Sequence, residues 1–239
     1  MNFLSVSSFN VNSNFGDLND YFAERPLDEF LSWCLSTFSE RIAQVSSFGS
    51  TGMVLLDHLA RLRPGIKVIT IDTDFLFEET YALHEQVQGR YPIQLEIYKP
   101  TLTPEMQTKL FGPNLPQNNP NLCCHLRKVL PLQEALQGLD AWMTGLRRDQ
   151  SSTRANLPLI MWDEKYQLVK INPLANWTRN QIWNYILEHR IPYNPLHDQG
   201  YASIGCTYCT SPTVNPTDER SGRWLGFDKI ECGIHQQPT

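Results

Sequence analysis

Apolar residues recur at helical or strand spacing along most of this chain. Over 26–44, Leu27, Phe30, Leu31, Cys34, Phe38 and Ile42 fall on one helical face, and Pro26 suits its start. The short, partly β-branched run 43–48 reads as a strand. A Gly-Ser-Thr-Gly turn follows at 49–52, then a helix over 53–63. Lys67-Val-Ile-Thr-Ile71 is a buried strand that ends in Asp72-Thr73-Asp74. Beyond it the pattern predicts a helix over 77–89, a strand over 93–98 and a helix over 123–136. Strands follow over 141–144 and 166–171, then a helix over 178–189 with Thr178 as its N-cap. The segment 99–121, rich in Pro, Asn and Gln, reads as a loop or lid, and 192–222 as loop.

Strands that alternate with helices predict an α/β fold, a mainly parallel sheet flanked by helices. Ligands of such sheets sit beyond the carboxyl ends of the strands, which nominates the loops 46–52 and 72–74. No internal repeat or boundary divides the 239 residues. The expectation is a single domain over 1–239, with a loose N-terminal arm over 1–20 and a mobile tail over 218–239.

Composition narrows the function classes. Apolar residues make up 41% of the chain, enough for a core, and the net charge of −5 argues against duplex nucleic acid as a partner. No run approaches the roughly 18 apolar residues of a membrane span, and residues 1–22 lack a secretory pattern. Six cysteines in such a chain read as cytoplasmic metal-binding or reactive thiols rather than disulfides. Cys34, inside an apolar helical face, reads as core filler.

Five features carry candidate chemistry. Ser46-Ser-Phe-Gly-Ser-Thr-Gly52 joins a strand to a helix and suits either an anion loop, without the Lys of Walker A, or a tight turn. Asp72 and Thr73, at a strand end, suit ligand hydroxyls or an N-cap. Arg147, Arg148 and Arg154 lie in one polar loop and suit phosphate or sulfate oxygens. Cys123-Cys124 and Cys206-x-x-Cys209 offer four thiolates, which fit zinc or an iron–sulfur cluster, and Lys128 stands five residues beyond Cys123. Cys232 lies in a glycine-bearing tail close to Lys229 and His235, with Arg220 and Arg223 before it. Such cations favour a thiolate.

Together these residues resemble the assimilatory adenylyl-sulfate and 3′-phosphoadenylyl-sulfate reductases. The resemblance runs from about residue 40 to His235. It rests on Ser-Ser-Phe-Gly at 46–49, Ile-Asp-Thr at 71–73, Phe-Leu-Phe-Glu-Glu-Thr-Tyr at 75–81 and Cys-Cys-His-Leu-Arg-Lys-Val-Leu-Pro-Leu at 123–132. Gly-Leu-Arg-Arg-Asp-Gln at 145–150, Tyr-Asn-Pro-Leu-His-Asp-Gln-Gly-Tyr at 193–201 and Glu-Cys-Gly-Ile-His at 231–235 complete it.

The resemblance implies a PP-loop, adenine-nucleotide α-hydrolase-like sheet. It implies that the Cys232 thiolate attacks the sulfate sulfur of adenylyl sulfate or phosphoadenylyl sulfate, leaving an S-sulfonate that thioredoxin or glutaredoxin releases as sulfite. It implies that Cys123, Cys124, Cys206 and Cys209 hold a 4Fe-4S cluster. Ser47, Gly49 and Ser50 would then cradle the nucleotide phosphate, with Asp72 and Thr73 near the adenosine. Arg147, Arg148, Arg154, Arg220, Arg223 and His235 would balance the charge on the phosphosulfate, and Lys128 would link cluster and substrate. Members of the family often form homo-oligomers.

The cluster cysteines mark users of adenylyl sulfate, whereas 147–158 looks more like users of the 3′-phosphorylated nucleotide. Asp74 replaces the family's usual glycine, and a carboxylate facing the pocket would disfavour added negative charge. An ATP-consuming PP-loop tRNA thiolase is a weaker fit, because 48–52 lacks a Gly-Gly-x-Asp-Ser loop and the tail thiol would have no role.

Overall fold

The computed structural model describes residues 15–215 and 217–235. Its sheet has six strands: β1 (Ile42–Val45), β2 (Ile66–Ile71), β3 (Ile93–Tyr98), β4 (Ala141–Met143), β5 (Ile160–Asp163) and β6 (Leu168–Ile171). They lie in the order β3-β2-β1-β4-β6-β5, all parallel except β5, which runs antiparallel to β6. The helices are α1 (Gly16–Ala23), α2 (Leu27–Phe38), α3 (Ser50–Leu62), α4 (Glu78–Arg90), α5 (Pro104–Phe111), α6 (Leu115–Asn118), α7 (Pro120–Cys124), α8 (Leu130–Ala135) and α9 (Arg179–His189).

The central strands read as apolar runs because both faces of the sheet are covered. Side chains alternate between the two faces. Ile42, Val68, Ala141 and Met143 enter the core shared with α2, α3, α4 and α9, while their neighbours Ala43, Ile69 and Trp142 face α8. α3 is buried from Thr51 to Ala60, so its Asp57 accepts bonds from Tyr91 (3.2 Å) and Tyr185 (3.0 Å), and its His58 pairs with Asp28 (2.6 Å). Cys34 is fully buried, as its helical position predicts, and burial raises its thiol pKa.

The chain winds outward from β1 to β3 and then returns to place β4 on the other side of β1. The crevice beyond β1 and β4 is therefore the topological switch point, where connections diverge and backbone groups remain open to a ligand.

Several elements depart from the sequence expectation. The segment 99–121 contains α5, started by Thr103 accepting the Met106 N–H (3.2 Å) and by Pro104, and also α6. Its few buried side chains left no apolar period to read. The helix expected over 123–136 is α7, a π-helical stretch His125–Val129, and α8. The π-helical stretch ends two residues before Pro131, which has no N–H for the ladder. The strand expected over 166–171 begins at Leu168. A turn with Gln167 at φ 57° feeds it from β5, a strand the alternation did not reveal. Residues 1–14 of the expected loose arm lie outside the described residues. Gly16–Ala23 is instead a helix, with Phe15 and Phe22 buried and the Asn19 amide bonded to both the C=O (2.8 Å) and N–H (3.0 Å) of Ile160 on edge strand β5. Among the described residues, no helix is long and apolar enough to cross a membrane.

Candidate active site

The loop after β1 is set by close backbone contact. Phe48 sits at φ 53° with its ring buried against His84, and its N–H bonds to Ser46 Oγ (3.0 Å). Gly49 is the N-cap of α3 and offers no side chain to cap it. The first N–H groups of a 13-residue helix therefore face the crevice with the positive end of the helix dipole. Gly145, just past β4, lies so close to this turn that a Cβ there would come within 2.8 Å of Gly52 N. Gln44 fixes the other side through Nε2 to Gly52 O (2.7 Å).

A cavity of about 210 Å³ opens over this turn. Ser47, Gly49 and Ser50 line its floor, and Thr73, Gly145 and Gln150 its walls. Lys128, Arg154, Arg220, Arg223, Cys232 and His235 also reach it. The fold thus gathers most of the residues singled out in the sequence.

Of the candidates for substrate contact, Arg148, Arg147 and Asp72 do not line it. Arg148 is exposed and bonds to Leu157 O (2.7 Å) and Asn176 Oδ1 (2.6 Å). Arg147 is fully buried beside the cavity, donating to Thr51 Oγ1, Glu219 Oε1 (2.6 Å) and Asp149 Oδ1 (2.9 Å), so it braces the loop. Asp72 turns away from the cavity to accept from Lys99 (2.8 Å), Tyr81 (2.8 Å) and the Asp74 N–H (2.9 Å). Burial opposes its charge, but these bonds hold the carboxyl below its ordinary pKa. Asp74 pairs with Arg127 (3.0 Å) and Lys99 (3.3 Å) and does not line the cavity, so its carboxylate is not presented to a ligand there.

A second, smaller cavity is lined by Cys123, Cys124, Cys206 and Cys209, all buried free thiols, together with Phe75, Pro116, Arg127, Lys128 and Tyr208. The end of α7 supplies the first pair. The turn Thr207–Cys209, tied by Thr207 N to Phe75 O (2.9 Å), supplies the second. Burial, then the nearby Cys206 and Cys209, push the Cys123 thiol up to about 11. Among the described residues, no three or more His, Cys, Asp and Glu side chains are grouped to hold a single metal ion. Four thiols that line one cavity nevertheless form a donor set that suits a cluster, whose several irons each need one thiolate, and Arg127 and Lys128 beside them would balance its negative charge.

Lys128 lines both cavities. Burial works against its charge, but Cys206, Cys232 and Cys124 outweigh it and keep the ammonium protonated above its ordinary pKa. Cys232 is half-buried. Its thiol is held well below the ordinary range by a hydrogen bond from Cys124, against the effect of burial, with help from Lys128, the Ile234 N–H and Arg223. Cys124 is correspondingly raised. His235 stacks on Trp142 at 12° and is kept neutral by burial and by Lys170 and Arg154.

Four residues of this region were not among the sequence candidates. Arg127 ties the cysteine-bearing segment to the end of β2 through Thr73 O (2.9 Å) and Asp74, and to α5 through Gln107 Oε1 (2.7 Å). Glu219 pairs with Arg147, and Glu231 with Arg154 and Arg220. Lys170, buried in β6, lies 4.9 Å from the Trp142 ring centroid and 3.5 Å from His235 Nδ1. A lysine within the apolar run Leu168–Ile171 was the available signal for it.

Residues 41–212 match the phosphoadenosine phosphosulfate reductase domain family. The chain is 45% identical over 227 residues to the adenosine 5′-phosphosulfate reductase of Halalkalibacterium halodurans, covering 95% of this chain and 98% of that one. It is 45% identical over 223 residues to adenosine 5′-phosphosulfate reductase 2 of Bacillus subtilis, covering 92% and 94%. The crystal structure of phosphoadenylyl-sulfate reductase from Candida auris, a phosphate complex, superposes with a TM-score of 0.76 at 36% identity, over 85% of this chain and 100% of that one. Yeast FAD synthetase in complex with FAD superposes at 0.58 and 16% identity, over 87% and 72%, which is a likeness of fold alone.

Proposed function

The chain belongs to the phosphoadenosine phosphosulfate reductase domain family, and from that premise we propose that it reduces adenylyl sulfate to sulfite and AMP in the cytoplasm, with Cys232 as the nucleophile. One observation carries the reading. The Cys232 thiol, the open N-terminus of α3 and the cations Lys128 and Arg223 all border the same cavity. A thiolate needs an electrophile, and a phosphosulfate held by helix amides and cations presents its sulfur as one.

In this reading the nucleotide phosphate rests on the N–H groups at the start of α3, beside Ser47, Gly49 and Ser50. Thr73 lies along the wall, while Asp72 acts only by holding Lys99 and Tyr81. The Cys232 thiolate attacks the sulfate sulfur. The bond from sulfur to the bridging oxygen breaks, its electron pair leaves with AMP, and Cys232 keeps the sulfonate. A thiolate of thioredoxin or glutaredoxin then attacks Cys232 Sγ, and sulfite departs with the electrons of the S–S bond. The partner's second thiol closes its own disulfide and frees Cys232, so the dithiol supplies both electrons.

Cys123, Cys124, Cys206 and Cys209 would hold a 4Fe-4S cluster, which supplies fixed charge beside the site rather than the reducing electrons. With Cys124 serving as a thiolate ligand, Lys128, Arg223 and the Ile234 N–H would be the groups that favour the Cys232 thiolate.

Preference for adenylyl sulfate agrees with the names of the bacterial relatives. It does not rest on Asp74, which is paired away from the cavity. The test is sulfite release from each nucleotide with thioredoxin or glutaredoxin as reductant. The expected result is a higher kcat/KM for adenylyl sulfate. Equal values would make the enzyme a dual user, a higher value for the 3′-phosphorylated nucleotide would reverse the preference, and no sulfite from either would overturn the function.

A further inference from the structure

Glu231 precedes the thiol in sequence and is buried at the cavity wall. Its carboxylate takes both ends of the Arg154 guanidinium, Nε to Oε2 at 2.8 Å and Nη2 to Oε1 at 2.8 Å. Oε1 also accepts from Arg220 Nη2 (2.8 Å) and from the backbone N–H of Cys232 (2.8 Å). One oxygen thus joins two arginines to the nucleophile's own peptide. Arg154 is anchored in turn by Gln150 Oε1, and Arg220 extends toward Ile230 O (3.4 Å). A buried carboxylate in this geometry is bound by charge-assisted, bidentate contacts, the strong kind.

We propose that Glu231 is a positioning residue. Its carboxylate seats Cys232 over the cavity by occupying Arg154 and Arg220, in competition with an anionic nucleotide for the same two guanidiniums. This revises the expectation that both arginines serve the substrate directly, and it rests on the assignment of Cys232 as the nucleophile. The tail has other fixed points around the thiol: Lys165 donates to Gly233 O, Lys229 donates to Asn121 Oδ1 (2.5 Å), and the His235 ring stacks on Trp142. Removing the negative charge leaves the shape and one acceptor but loses the ion pair with both arginines, so the tail should lift and the arginines should become available to other anions.

The experiment compares the purified full chain with E231Q and E231D in three arms: tryptic cleavage after Lys229, equilibrium binding of AMP, and single-turnover formation of the Cys232 S-sulfonate from adenylyl sulfate. For E231Q the expected results are cleavage at least about tenfold faster, AMP affinity unchanged or tighter, and S-sulfonate formation at least about tenfold slower without a rise in KM. E231D, which keeps the charge, should recover part of the cleavage resistance and the rate. Unchanged cleavage in E231Q overturns the proposal. So does AMP affinity lost in step with cleavage, which would mark a general loss of structure, and so does failure of E231D to recover either property. If the wild type forms no S-sulfonate while the cleavage and AMP arms behave as expected, the proposed reaction falls and the seating of the tail by Glu231 stands.

Discussion

Replacing Gly145 by alanine tests whether the backbone contact between β4 and α3 builds the nucleotide site. A Cβ at Gly145 would stand 2.8 Å from Gly52 N, 3.0 Å from Gly52 Cα and 3.2 Å from the Thr51 carbonyl carbon. All three are backbone atoms, so no rotamer change relieves them. Neither side can easily yield, because Thr51 to Ala60 of α3 are buried and Gln44 holds Gly52 O. The start of α3 must move by roughly half an ångström to restore normal contact, and overpacking of this kind costs about 1–3 kcal/mol. For a domain of this size each kcal/mol lowers Tm by about 2–4 °C, so G145A should melt about 2–12 °C lower. The same displacement misaims the helix N–H groups and should weaken AMP binding by at least about tenfold. Gly89 provides the control. It is exposed in α4, away from the cavity, and a Cβ there meets nothing within 4 Å, so G89A should keep or slightly raise its Tm and bind AMP as the wild type does. Differential scanning calorimetry and equilibrium dialysis with AMP read the two effects. A G145A protein that matches the wild type in both Tm and affinity would refute the reasoning, and loss of Tm with full affinity would refute the link from α3 to the ligand.

Other predictions address the thiols and the buried lysine. C232S should release no sulfite while binding AMP as the wild type does; retained turnover would remove Cys232 as nucleophile. Protein purified without oxygen should be brown and contain iron with acid-labile sulfide, and C209S should lose both. A colourless wild type with stoichiometric zinc would sink the cluster assignment. Lys170 is pushed down to about 8 by burial, against the pull of Asp163. Folded, it loses its proton near pH 8, whereas the unfolded chain keeps it to about pH 10.4. Its contribution to stability should therefore improve as pH rises from 8 toward 10.4, by up to about 1.4 kcal/mol per pH unit, and K170M should lose that slope. Urea unfolding across that range reads it, and parallel profiles for the two proteins would contradict the assignment.

Much of the layout was legible in the chain because it is local. Short apolar and β-branched runs marked β1 to β4, and the polar residues that end β1 and β2 marked where a ligand would sit. Thr178, read as an N-cap, placed the start of α9, where it forms a capping box with Gln181. Residue types with narrow chemistry, the paired cysteines and the tail thiol, nominated the site because few other uses fit them. Side-chain direction was not legible, since it depends on partners distant in sequence. Asp72, Asp74, Arg147 and Arg148 have the right types and lie in the right loops, yet Lys99, Arg127, Glu219 and Asn176 turn them to other tasks. Glu231 looked like an ordinary charged neighbour of Cys232 until the fold brought Arg154, 77 residues away, against it.

The sequence by itself determined the alternating elements and the loop after β1, and it nominated the candidate thiols, because backbone preference and side-chain chemistry act over a few residues. Tertiary structure alone decided which charges meet. It placed Lys128 between two cavities, closed Glu231 on two arginines and left the start of α3 open to the crevice. Electrostatic pairing depends on distance in space and on burial, and neither is written in the order of the residues.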